Sequence, residues 1–352
     1  MAGRMDSLHF HEIKAVEFLQ YHGMEFKETL QFISHLGGPN NSFLIYFPIA
    51  YILNHAVGLK ILWAAVFSEW FNASLKWLLF GHRPYWWVRE SNLYNDQNRP
   101  DIEQFPSTCE TGPGSPSGHM MVTVAIWYII TKETLSHIRS SRERSGRELP
   151  LIVDITLWSL FGVFVTLVGV GRVFIATHFP NQVVLGLLVG LLIGHIVSQL
   201  PVHTFTLLNY LTGSMFLLQA VVYQYLFMFL LNHRPDWSIA LAAKWCGDPA
   251  WVHLDSTPFY AVSRDIGSLF FTGLALRYIG SKVTETSRGL LATAILAAVA
   301  VFAVHGVALL TLPTKYEFLF YALGAFKEGL VPIIVIGLNV IYESVLGKRK
   351  VM

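Results

Sequence analysis

Long apolar stretches separated by short polar connections run through this chain from end to end. A helix that crosses a bilayer needs roughly 20 mostly apolar residues. On that rule nine segments qualify: about 26–53, 57–80, 117–133, 151–171, 181–199, 204–231, 260–279, 288–311 and 316–345. The pattern predicts an all-α fold, a polytopic membrane helical bundle with about nine transmembrane helices. Gly37, Gly38 and Pro39 interrupt the first segment. The seventh carries Arg264 and Asp265 near its start, so its helix is expected to begin after them. Residues 6–22 hold Asp6, Glu12 and Glu17 among apolar positions at helical spacing. They read as a short interfacial helix and not as a cleavable signal. With no inserted soluble domain and no internal repeat, residues 1–352 form one membrane-embedded domain, its core site helices within 57–199.

Composition supports that pattern. Of 352 residues, 53% are apolar and 14% charged, against about 25% charged in a soluble domain. The net charge of +2 argues against a nucleic-acid partner, which calls for a concentrated basic face. Two cysteines, Cys109 and Cys246, are too few for a disulfide framework; a single bridge and two unrelated small residues both remain open. Short-loop Lys and Arg set orientation. Lys132, Arg139, Arg142, Arg144 and Arg147 follow the third segment, Arg277, Lys282 and Arg288 follow the seventh, and the chain ends with Lys348-Arg349-Lys350. Nine spans put these groups on one side, the cytosol. The N-terminus and the longer loops 81–116 and 232–259 then face the other compartment.

Three clusters at that non-cytosolic face carry candidate chemistry. Lys76 precedes Arg83-Pro84 by nearly two helical turns, which places both cations on one side of the second segment. Charged groups within a span usually serve an interior site, although snorkelling at a helix end accounts for this pair taken alone. The run Gly112-Pro113-Gly114-Ser115-Pro116-Ser117-Gly118-His119 directly precedes the third segment. Its glycines admit a close ligand, and the helix start at Ser117 and Gly118 offers N–H groups to an anion. Arg172 and His178 stand before Pro180, which suits the first turn of the fifth segment. Together, two arginines, a lysine, two histidines and a helix N-terminus describe a site for a tetrahedral dianion.

Lys76-x6-Arg83-Pro84, Pro116-Ser117-Gly118-His119 and Arg172-x5-His178 resemble the three-part signature of the type 2 phosphatidate phosphatase and vanadium haloperoxidase superfamily. The runs WLLFGHRPYWWV, QFPSTCETGPGSPSGH, RVFIATHFPNQV and KWCGDPAWVHLDSTPF are similar to the glucose-6-phosphatase catalytic subunits, the ubiquitously expressed isoform being the expected nearest. The resemblance implies hydrolysis of glucose 6-phosphate, or a related sugar phosphate, in the lumen of the endoplasmic reticulum. His178 would be the nucleophile and form a phosphohistidine. His119 would protonate the leaving sugar oxygen, and Lys76, Arg83, Ser117, Gly118 and Arg172 would hold the phosphate. It implies no cofactor or metal, a lipid bilayer around the chain, a cytosolic C-terminus, and functional coupling to a glucose-6-phosphate transporter.

The chain departs from the pattern at three places. Gly171 replaces the Ser before the third-motif Arg, Gly38 replaces an Asp near the first Gly-Pro break, and Gln182 stands where the superfamily has Asp. Gln182 supplies no anionic partner for His178, so the orienting group stays open. Glu69, seven residues before Lys76, reads as a member of a buried pair. His253 and Asp255 read as loop residues near the substrate mouth, and His305, Lys327 and Glu328 as packing groups. The sequons at Asn40 and Asn72 fall in or beside spans. The basic tail resembles a dilysine retrieval signal. A lipid phosphate phosphatase and a catalytically weak scaffold are the alternative readings.

Overall fold

The computed structural model describes residues 2–252, 256–280 and 288–346. His253, Asp255, Lys282 and the basic tail lie outside those residues. Among the described residues fourteen α-helices follow one another. They are α1 (Ala2–Gly23), α2 (Lys27–Leu36), α3 (Pro39–Asn41), α4 (Phe47–Leu53), α5 (His55–Leu79), α6 (Pro84–Glu90) and α7 (Gly118–Glu143). After these come α8 (Leu151–Phe174), α9 (Pro180–Gln199), α10 (Leu207–Leu230), α11 (Trp237–Trp245), α12 (Pro258–Tyr278), α13 (Leu290–Ala308) and α14 (Glu317–Leu346). No strand occurs among the described residues.

Among the described residues five helices, α8, α9, α10, α13 and α14, are long and apolar enough to cross a membrane. Three more, α5, α7 and α12, have 25, 26 and 21 residues. At 1.5 Å per residue the shortest still extends about 32 Å; α5 carries the buried Glu69 and Lys76, and α12 the buried Arg264 and Asp265. The segment over 26–53, expected to be interrupted at Gly37-Gly38-Pro39, is broken there into several short helices. Gly37, Gly38 and Pro39 end α2, and the chain then passes through α3 and a π-helical turn at Ser42–Tyr46 into α4. A correction concerns α12, which begins at Pro258 and contains Arg264 and Asp265. Those charges are not at an exposed helix start: both are buried, and Arg264 pairs with Glu69 of α5 at 2.7 Å. Glu69 is thus the member of a buried pair expected of it.

One seam fixes the distance between the candidate site elements. α9 carries Gly186, Gly190 and Gly194 at four-residue spacing, one face of a helix. A β-carbon there would fall 2.6 Å from the Ser117 carbonyl oxygen, 2.5 Å from that of Met121 and 2.9 Å from that of Ala125. The bare backbone of α9 therefore lies directly on α7, the close approach that small-residue repeats allow. α1, the helix expected over 6–22, lays Ile13 and Val16 against Trp86, Trp87 and Phe179.

Candidate active site

Lys76 lies in the last turn of α5, but Arg83 is not on that helix. α5 ends at Leu79, Phe80 is left-handed (φ 50°), and Arg83 immediately precedes α6. The expected placement of both cations on one helical face is therefore corrected; Arg83 comes in from the following turn. It is fully buried and donates to three backbone carbonyls: Nε to Gly112 at 2.7 Å, Nη1 to Thr177 at 3.1 Å and Nη2 to Pro113 at 3.2 Å. Arg172, in the last turn of α8, donates through Nη1 to Ser34 Oγ of α2 at 3.3 Å. A β-carbon on Gly171 would sit 3.0 Å from the Leu30 carbonyl oxygen, so α2 packs close there and supplies the hydroxyl beside Arg172 from Ser34.

Ser117 caps α7, and His119 is the second residue of that helix. The Ser117 amide donates to the Gln182 carbonyl at 3.0 Å, so it is committed to α9, while its buried hydroxyl has no partner. His178 follows α8 and sits two residues before α9. Its Nδ1 is 2.7 Å from the Gly114 carbonyl oxygen. A carbonyl only accepts, so Nδ1 carries the proton and Nε2 keeps its lone pair. Nε2 is buried and has no hydrogen-bond partner. The orienting group that residue identity left open is thus a backbone oxygen. Gln182 supports it: Nε2 donates to the His82 carbonyl at 2.7 Å, and Oε1 accepts from the Phe179 amide at 3.1 Å and lies 3.4 Å from His178 Nδ1 as a second, longer acceptor. Burial, then the charges of Arg83 and Arg172, hold the His178 imidazole well below its ordinary pKa.

A carboxylate that sequence reasoning did not single out joins these groups. Glu110 Oε2 is 3.0 Å from Arg83 Nη2, Oε1 pairs with Arg172 Nη2, and Oε1 is 3.6 Å from His119 Nδ1. Burial works against its ionisation, but the Arg172 and Arg83 guanidiniums outweigh burial and hold its carboxyl well below the usual range. Its backbone is pinned. The Glu110 amide donates to Thr108 at 2.9 Å, Tyr85 Oη donates to the Glu110 carbonyl at 3.2 Å, and neighbouring Cys109 is disulfide-bonded to Cys246, 137 residues away.

A cavity of about 220 Å³ opens beside this cluster. Lys76, Glu110, Gly118 and His119 form part of its wall, and so do Asn40, Asn72, Glu69 and Arg264. Arg83, Arg172 and His178 are buried outside that wall. Gly38 also borders the cavity, and a β-carbon there would lie 3.8 Å from His119 Nε2. The arrangement brings two imidazoles, three cations and one carboxylate together where three separate segments of chain meet.

Residues 57–205 match the PAP2 superfamily. The chain is 39% identical over 341 residues to glucose-6-phosphatase 2 of Homo sapiens, covering 94% of this chain and 95% of that one. It is 35% identical over 335 residues to glucose-6-phosphatase catalytic subunit 1 of Felis catus, covering 94% and 93%. The corresponding protein of Rattus norvegicus is 34% identical over 339 residues, 94% of each chain. No solved structure matches the chain.

Proposed function

This chain belongs to the glucose-6-phosphatase family, and from that membership we propose that it hydrolyses glucose 6-phosphate to glucose and inorganic phosphate. The observation that carries the chemistry is the placement of His178, with Nδ1 held by the Gly114 carbonyl and a buried Nε2 that has no partner. Nε2 attacks phosphorus in line, the N–P bond forms, and the P–O bond to the sugar breaks. His119 gives its proton to the departing sugar oxygen. In the second half, water attacks the phosphohistidine, His119 takes the proton of that water, and phosphate leaves as the N–P bond breaks. Dividing the displacement this way lowers each barrier. Lys76, Arg83 and Arg172, with Ser117 and Gly118 at the start of α7, stabilise the charge on the three non-bridging oxygens.

The cavity wall favours a sugar over a lipid phosphate. Asn40, Asn72, Glu69 and Arg264 stand on that wall and offer hydrogen-bonding groups to sugar hydroxyls. The Cys109–Cys246 bridge joins two loops on the side of the site and fits an oxidising compartment. It supports a lumenal site in the endoplasmic reticulum membrane, with the C-terminus in the cytosol. A substrate made in the cytosol then needs a glucose-6-phosphate transporter to reach it.

In detergent, the purified protein is expected to release phosphate from glucose 6-phosphate, with His178→Ala slower by roughly a thousandfold or more. Undiminished release by that variant would remove the nucleophile assignment. Wide preference for a lipid phosphate over glucose 6-phosphate and 1,5-anhydroglucitol 6-phosphate would overturn the substrate class.

A further inference from the structure

Glu110 has no part in the reaction just described, yet its carboxylate stands at the centre of the site. It takes one Nη2 from each of Arg83 and Arg172 and lies beside His119. It also forms part of the cavity wall next to Lys76, whereas Arg83 and His178 are fully buried and Arg172 nearly so. An anion arriving through the cavity meets Glu110 before it meets either guanidinium or the nucleophile. Building on the phosphatase reading above, we propose that Glu110 is a resident stand-in for the substrate phosphate. It fills the oxyanion seat of the empty site and swings away when a phosphate dianion takes its place.

Shape, charge and mobility all favour this exchange. A carboxylate and a phosphate both offer oxygens spaced to accept one Nη2 from each of two guanidiniums, so one can replace the other without moving the arginines. Lys76, Arg83 and Arg172 give three positive charges against one on Glu110, a surplus of two. A phosphate dianion takes up that surplus completely, and a monoanion leaves half of it. The seat therefore selects for doubly ionised phosphate esters. The backbone at Glu110 is held by Thr108, Tyr85 and the adjacent disulfide, so no loop movement is needed. Rotation of a single side chain into the neighbouring 220 Å³ cavity is sufficient.

The test uses the full-length protein in detergent with orthovanadate as the probe. Glu110→Gln keeps the size of the side chain and removes its charge. It is expected to tighten orthovanadate inhibition and lower KM for glucose 6-phosphate, each about tenfold, as removal of one like charge beside an anion site does. Weaker or unchanged orthovanadate binding in that variant would show a strut for the arginines and overturn the exchange. Should the variant fail to fold, a structure of the unaltered protein with orthovanadate decides. Glu110 rotated off at least one guanidinium supports the proposal. Glu110 still bridging both, with vanadate beside His178, ends it, and so does absence of vanadate from the seat. If glucose 6-phosphate is not hydrolysed while orthovanadate still displaces Glu110, the substrate assignment falls and the exchange stands.

Discussion

Arg172 and Arg264 invite comparison, since both are nearly fully buried and both bind a glutamate. Around Arg264 the partners close on the guanidinium: Glu69 at 2.7 Å, Asp265 at 3.5 Å and the Asn40 side chain, with the Phe43 ring 5.0 Å below. One cation meets two carboxyl groups, and no positive charge is left over. Arg172 instead shares the single carboxylate of Glu110 with Arg83, and Lys76 stands on the same cavity wall. Glu69 and Lys76 are seven residues apart on α5, about 10 Å along the helix, so the two clusters lie close together in one molecule. Burial and ion pairing do not separate a structural arginine from a chemical one. Uncompensated charge does, because only a cluster with charge to spare gains by taking up an anion.

Breaking each pair on its own puts that contrast to the test. The largest effect is expected from Arg264→Met, which leaves two carboxyl groups buried without their cation. Stability should fall by about 3–5 kcal/mol, read as a lowered thermal midpoint in detergent. An unshifted midpoint would place Arg264 outside the structural class. Next comes Arg172→Lys, which keeps the charge and loses the fork. Its kcat/KM should fall roughly a hundred- to a thousandfold at a nearly unchanged midpoint, and loss of the fold in place of turnover would erase the distinction. The smallest effect belongs to Glu69→Gln. Arg264 retains Asp265 and Asn40 there, so the cost should be about 1 kcal/mol, and a larger loss would mean that Glu69 alone balances the guanidinium.

The sequence carried the three motifs and the membrane class clearly, because clustered cations beside helix ends are a local signal. Two kinds of feature escaped it. The group that orients His178 is the Gly114 carbonyl, and any residue at that position would provide one, so residue identity says nothing. Glu110 is one acidic loop residue among several, and its meaning comes only from the arginines that fold around it. Arg83 was assigned to the wrong element because seven-residue spacing fits two helical turns, while Phe80 and Pro84 break the helix between the two cations. The start of α12 was set too late because Arg264 and Asp265 look like boundary residues until Glu69 is placed beside them. The Gly186, Gly190 and Gly194 repeat was readable at its four-residue period, but its partner on α7 was not.

That repeat has a consequence for natural variation. His119 sits at the start of α7, and α9 starts just after His178, so the contact of the two helices acts as a ruler between the two imidazoles. The ruler is graduated by three missing methyl groups, at glycines that do not line the cavity. A variant carrying alanine at Gly190 would keep every chemical group of the pocket intact. Its β-carbon would meet the Met121 carbonyl oxygen at 2.5 Å, so it is expected to push α9 off α7 and lower turnover, and inspection of the pocket residues alone would class it as harmless.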